Sequence, residues 1–148
     1  MRLIIQRVSE ASCTVEGKVT GSIGIGYMVL VGFGLQDDKS VVEKMAGKMS
    51  KLRIFEDEEG KINRSIYDVE GKILSISQFT LYADCRKGNR PSFSNALGGD
   101  KAIELYDYFN ECLRTLNLEV HEGIFGADMK IRLLNDGPVT IILDSEEL

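Results

Sequence analysis

The sequence is short of the residues on which most hydrolytic and redox chemistry depends. Histidine occurs once, as His121, tryptophan is absent, and cysteine occurs three times, as Cys13, Cys85 and Cys112. One histidine cannot form a histidine pair for a metal. Three scattered cysteines without a Cys-x-x-Cys spacing make neither a zinc site nor an even disulfide framework. The thiols are therefore expected to be reduced and mostly packing residues, and His121 to sit near the surface in an edge strand. There is no G-x-S-x-G elbow. Gly24, Gly26, Gly32 and Gly34 cluster without either phosphate-loop spacing, so they read as turns and close strand approaches. No apolar run approaches the ~20 residues needed to cross a bilayer. The opening Met1–Val8 turns polar by residue six and lacks the apolar stretch of a secretory signal, so the cytosol is the expected place. Only two prolines and no low-complexity tract occur, which confines expected disorder to the acidic residues Asp144, Glu146 and Glu147.

Positive charge is also in deficit: 18 Lys and Arg against 23 Asp and Glu leave a net charge of −5. A protein that grips long nucleic acid is normally basic, because phosphate neutralisation supplies most of the non-specific affinity. Any RNA handled here should be held by a short terminal segment. The local exception is Arg86-Lys87-Gly88-Asn89-Arg90, which on composition alone reads as a solvated loop rather than a phosphate site.

What remains is an ordinary globular composition, 43% hydrophobic over 148 residues, without a linker or repeat, and hence one domain spanning 1–148. A chain this long buries roughly 68–70% of its extended surface. Strands are expected at Leu3–Val8, Ser12–Val15, Val19–Ile23 and Tyr27–Val31, the last apolar throughout as in a strand buried on both faces. Ser40 and Glu43 are spaced as a capping box, followed by Val42, Met45, Ala46, Met49 and Leu52 at helical spacing. Lys51–Phe55 and Lys72–Ser77 read as strands. A second helix from Asp100 carries Ile103, Tyr106, Leu113 and Leu116 on one face, with Phe109 flanking it. Two last strands, Met129–Leu134 and Val139–Leu143, are broken by Asn135-Asp136-Gly137-Pro138. The pattern predicts an α+β fold: a curved mixed sheet or open barrel with two main helices packed on one side.

Two polar segments interrupt this apolar framework. Ser77-Gln78-Phe79-Thr80-Leu81 ends a buried strand, where its neutral donors either cap the sheet edge or line a pocket. Thr80 as a nucleophile would need an adjacent base, and none is visible locally. Asn135-Asp136-Gly137-Pro138-Val139-Thr140 reads most simply as a turn. Together the two segments resemble the signature motifs of the D-aminoacyl-tRNA deacylases. The resemblance extends in order through Ile5-Gln6-Arg7-Val8, Arg90-Pro91-Ser92-Phe93-Ser94, Leu105-Tyr106-Asp107-Tyr108-Phe109 and Phe125-Gly126-Ala127-Asp128-Met129, and covers essentially the whole chain.

The resemblance implies a homodimer that hydrolyses the ester of D-aminoacyl-tRNA, or of glycine mischarged on tRNA, with no cofactor and no metal. By the same resemblance Ser77, Gln78, Phe79 and Thr80 form the catalytic pocket. Gly137–Pro138 is cis, held by Arg7, and enters the pocket of the partner subunit to reject L-amino acids. Phe125, Met129, Phe93, Arg90, Asn135 and Thr140 are implied to bind the aminoacyl end of the tRNA, with Lys87 and Lys130 as further phosphate contacts. Two alternatives fit the same residues: an editing enzyme for a mischarged L-amino acid, and a module that binds an RNA end without turnover.

Overall fold

The computed structural model describes all of residues 1–148. Strand β1 (Arg2–Val15) turns at Glu16-Gly17, both at positive φ (49° and 78°), into β2 (Lys18–Ile23). Then follow β3 (Gly26–Gly32), helix α1 (Lys39–Ser50), a short hairpin of β4 (Phe55–Glu56) and β5 (Ile62–Arg64), and β6 (Lys72–Ser77). A 3₁₀ turn (Phe79–Tyr82), helix α2 (Gly99–Thr115), β7 (Val120–Glu122) and β8 (Lys130–Asp144) complete the fold, before a last 3₁₀ turn (Ser145–Glu147).

β1 is the spine of the sheet. Its residues 2–8 pair with β3, residues 11–15 with β2, and β8 runs antiparallel along residues 2–14. β3–β6 and β6–β7 are parallel, so the sheet is mixed, in the order β2-β1-β3-β6-β7 with β8 on β1. A Cβ on Gly21 of β2 would lie 2.9 Å from the Glu122 carbonyl and 3.0 Å from Leu74. The missing side chain lets β2 approach β6 and β7 and nearly closes the sheet into a barrel. Val8, Ala11, Cys13, Ile23, Met28, Leu74 and Ile76 fill one side. On the other, α1 and α2 pack on Leu3, Ile5, Tyr27, Val29 and Val31. This is the α+β architecture expected, and the three cysteines are free thiols.

Several local expectations are corrected. α1 is capped by Asp38, whose Oδ1 accepts the Val41 N–H at 3.0 Å, so the helix starts before the Ser40–Glu43 box. Leu52 lies beyond the end of α1, and the strand expected at Lys51–Phe55 shrinks to Phe55–Glu56. On α2 the buried face is Ala102, Leu105, Tyr106, Phe109 and Leu113, while Ile103 faces outward and Phe109 is central rather than flanking. β1 does not break at Ser9-Glu10, and β8 is a single strand through Asn135–Pro138. Both continue because paired strands tolerate bulges. The register jumps from Gln6↔Thr140 to Val8↔Asn135, so residues 136–139 bow out opposite Arg7.

Phe109 is wholly buried where both helices meet the sheet. Phe109→Ala should lower unfolding stability by about 3–5 kcal/mol, seen as a lower urea midpoint at unchanged slope.

Candidate active site

A cleft of about 260 Å³ opens where the parallel strands β3 and β6 end side by side. Val31 pairs with Ser77, and the Val31 carbonyl then accepts the Gln78 N–H at 2.7 Å. That bond turns the chain sharply into the Phe79–Tyr82 3₁₀ turn, which crosses directly over Gly32. A Cβ there would meet the Gln78 carbonyl at 2.9 Å and Leu81 at 3.0 Å. Only glycine allows this approach. The first N–H groups of a 3₁₀ turn have no carbonyl partner within it, which leaves those of Phe79 and Thr80 as donors beside the cleft.

Ser77, Gln78 and Phe79 form one wall. Gln78 Nε2 donates to Thr80 Oγ1 at 2.5 Å, so the Thr80 hydroxyl is held alongside rather than in the cleft. The exposed Phe79 ring packs edge-on against Phe93, with centroids 4.9 Å apart. The opposite wall is the β7–β8 loop, with Phe125, Gly126, Ala127 and Met129. Gly126 adopts φ +77°, a left-handed conformation suited to glycine. Ser77 and Gln78 are the polar side chains of the lining, and no lining residue is a carboxylate, histidine, lysine or cysteine.

The second polar segment is organised by Arg7, a guanidinium 3% exposed. Its Nε donates to the Asp136 carbonyl and its Nη1 to the Ile54 carbonyl, both at 2.8 Å. The carboxylates of Glu56 and Asp136 lie at 3.6 and 4.0 Å. Across the mouth of the bulge Asn135 Nδ2 donates to Thr140 Oγ1 at 3.0 Å, and Asn135 Oδ1 accepts the Val139 N–H at 2.9 Å. The Gly137–Pro138 peptide between them is cis.

Of the residues singled out in the sequence, Ser77, Gln78, Phe79, Phe125 and Met129 come together in the cleft, with Thr80 and Phe93 at its rim. Arg7, Asn135, Gly137, Pro138 and Thr140 come together at the bulge, which does not line that cleft. Arg90 and Lys87 lie on an exposed loop whose base is the Asp84–Ser92 bridge. There Arg86 holds the Asp84 carboxyl down to about 2. Lys130 is ion-paired to Asp128 at 3.1 Å. His121 is partly exposed on β7 and contacts Glu119 at 2.7 Å. Gly32, legible in the sequence only as a turn or close strand approach, also lines the cleft, as do Leu97 and Ala102, which carry no mark in the sequence. A glycine directly after the buried run Tyr27–Val31 was the available signal for the first. No three His, Cys, Asp or Glu side chains gather as they would around a metal ion, and no helix is long and apolar enough to cross a membrane.

Comparison with known proteins shows the family of the chain. The family described as D-Tyr-tRNA(Tyr) deacylase matches residues 4–144. A D-aminoacyl-tRNA deacylase of Deinococcus deserti is 58% identical over 97% of this chain and 99% of its own length. One of Thermomicrobium roseum is 56% identical over 100% of this chain and 96% of its own. Among solved structures, a c-Myc DNA unwinding element binding protein superposes with a TM-score of 0.91 at 42% identity, covering 97% of this chain and 98% of the other. A probable eukaryotic D-amino acid tRNA deacylase shares the fold, with a TM-score of 0.82 at 21% identity over 96% and 97% of the two chains. The protein is thus a hydrolase of the aminoacyl-tRNA ester bond. More narrowly, it belongs to the D-Tyr-tRNA(Tyr) deacylase family and acts on D-aminoacyl-tRNA.

Proposed function

We propose that two copies of the chain share the work: the Ser77–Thr80 cleft of one protomer holds the ester, and the Gly137–Pro138 bulge of the other closes it against the amino acid Cα. The observation that carries this reading is the separation of cleft and bulge within one chain, although Arg7, Asn135 and Thr140 all act to hold the bulge in shape. The outer edge of β8 supports it. That fifteen-residue strand pairs with β1 alone and exposes Leu134 and Ile142, 57% and 67% accessible. A long, partly apolar free edge is a ready surface for a second copy.

D- and L-residues differ by an exchange of hydrogen and side chain at Cα. A wall of main-chain atoms there excludes the L side chain by contact, while any D side chain points away. Protecting L-aminoacyl-tRNA by ~10⁴-fold takes about 5.5 kcal/mol, within reach of a steric clash. Glycine has no side chain to exclude, so glycyl-tRNA is also a substrate. The ester is activated and needs no strong nucleophile. The Phe79 and Thr80 N–H groups steady the oxyanion, Ser77 and Gln78 position the ester, and water attacks with help from the terminal ribose 2′-hydroxyl. Phe125, Met129 and Phe93 receive the terminal adenine, since stacking at such a base is worth ~1–3 kcal/mol. Arg90, Lys87 and Lys130 meet the last phosphates, and the site of action is the cytoplasm.

Mixed dimers test the division of labour. A Gly137→Ala protomer and a Gln78→Ala protomer, each inactive alone, are refolded together. If bulge and cleft meet across subunits, each heterodimer regains one intact site, and activity on D-tyrosyl-tRNA returns to about a quarter of wild type. No recovery, or a monomer by light scattering, overturns the proposal. Preferential cleavage of L-tyrosyl-tRNA would overturn the chiral part alone.

A pH profile checks the chemistry. Because no cleft-lining side chain titrates near neutrality, kcat corrected for spontaneous hydrolysis should show no bell between about pH 6 and 9. A bell would place an ionising acid or base at the ester.

A further inference from the structure

One face of α2 carries a polar stripe that the reaction does not use. Tyr106, Asn110 and Arg114 are spaced four apart and so lie along one side of the helix. The Tyr106 hydroxyl donates to the Ser75 carbonyl at 2.8 Å, and the same carbonyl accepts the Gly123 N–H at 3.2 Å. Asn110 Nδ2 donates to Glu122 Oε1 at 2.7 Å. Arg114 grips the other Glu122 oxygen at 2.7 Å and the Val120 carbonyl at 3.1 Å. The Asn110 and Arg114 bonds fall on Val120 and Glu122, while the Tyr106 bond meets that of Gly123 at Ser75 on β6. The segment 120–123 leads straight into the cleft wall of Phe125, Ala127 and Met129. The Tyr106 ring also packs against Phe125, with centroids 5.8 Å apart. A Cβ on Gly123 would lie 2.4 Å from the Met129 sulfur, so the loop sits tightly on its own far end.

The stripe is a poor way to make a stable core. Asn110 and Ser75 are fully buried, yet Asn110 Oδ1 and Ser75 Oγ have no hydrogen-bond partner. A buried polar atom left unpaired costs stability, and an apolar residue of similar size would avoid that cost. Burial pushes the Tyr106 phenol up to about 12, so it remains a donor across the physiological range. Such a network is favoured where it fixes a geometry rather than where it adds stability.

We infer that Asn110, acting through Glu122 with Arg114, is a positioning residue that sets the Phe125–Met129 wall and thereby the affinity for the terminal nucleoside of the tRNA. This rests on the reading of Phe125 and Met129 as the surface for the terminal base. The network touches neither the Ser77–Thr80 turn nor the Gly137–Pro138 bulge, so it acts on binding and not on the chemical step or on handedness.

Steady-state kinetics on D-tyrosyl-tRNA decide it. Asn110→Leu is expected to raise KM about tenfold, with kcat within about twofold of wild type and an unlowered melting temperature. Glu122→Gln, which turns a donor toward Arg114 or Asn110, should shift KM the same way, and so should Arg114→Lys, whose single ammonium cannot span both Glu122 and the Val120 carbonyl. Unchanged KM in both Asn110→Leu and Glu122→Gln overturns the inference, as does a joint loss of kcat and thermal stability. Should Asn110→Leu fail to fold, Glu122→Gln and Arg114→Lys carry the test by the same rise in KM at near-constant kcat. Phe125→Ala separates the two layers. If it raises KM and the network variants do not, the inference alone fails; if it leaves KM unchanged, the base-surface reading falls and the inference with it.

Discussion

Replacing Gly137 with alanine should reduce hydrolysis of D-tyrosyl-tRNA by about a hundredfold or more, while the melting temperature stays close to wild type. Gly137 adopts φ +137°, a conformation that L side chains rarely take. A Cβ there would lie 2.8 Å from the Val139 side chain, 3.0 Å from the Val139 nitrogen and 3.1 Å from Arg7 Nη2. The bulge must therefore shift, and it must shift against the guanidinium that holds it. Residues 136–138 are exposed and only Val139 packs, partly buried, against the larger hydrophobic cluster, so the damage falls mainly on the shape of the bulge rather than on the core. Activity on the D-ester and thermal melting, measured on the same sample, check the two halves. Near-wild-type activity would show that the path of residues 136–139 is unimportant to turnover.

Arg7 gives the second large effect. Its guanidinium spans two carbonyls, Asp136 on the bulge and Ile54 before β4, and does so almost fully buried. A lysine supplies a single ammonium on a flexible stem and cannot reproduce a planar two-pronged bridge. Arg7→Lys should lower kcat/KM on D-tyrosyl-tRNA by about 10²-fold. Arg7→Ala should do at least as much and also lower stability, because the buried Ile54 carbonyl left unpaired costs about 1–3 kcal/mol. Denaturant unfolding separates the variants: a large kinetic loss in Arg7→Lys with little change in stability assigns the residue to shaping the bulge. Equal losses in both would assign it to the fold.

Elements whose cause is local are legible in the sequence. The run Tyr27–Val31 is buried on both faces, as a continuous apolar strand should be, and Val42, Met45, Ala46 and Met49 form the buried stripe of α1. Ser77, Gln78 and Phe79 lie in a cleft, which resolves whether that strand end caps the sheet or lines a pocket. Other features depended on distant partners and left no local trace. Ser9-Glu10 and Asn135–Pro138 look like breaks, yet each strand is carried through by pairing with the other. Ser40 competed for the α1 cap with Asp38, and the choice lay in backbone angles rather than residue type. The α2 stripe misled because Ile103 looks apolar enough for the core, while the buried face is rotated to take Ala102 and Asn110 instead. Leu97 and Ala102 reach the cleft only because α2 begins beside the end of β3, a meeting of remote segments that no spacing announces.

The cleft borrows its lining from stretches as far apart as Gly32, Ser77 and Met129. None of these stretches makes a binding surface alone, so partly formed or locally frayed molecules should be silent rather than sluggish. Loss of catalysis on heating should then coincide with the cooperative melting of the whole domain, making turnover itself a gauge of the fraction of molecules that are intact.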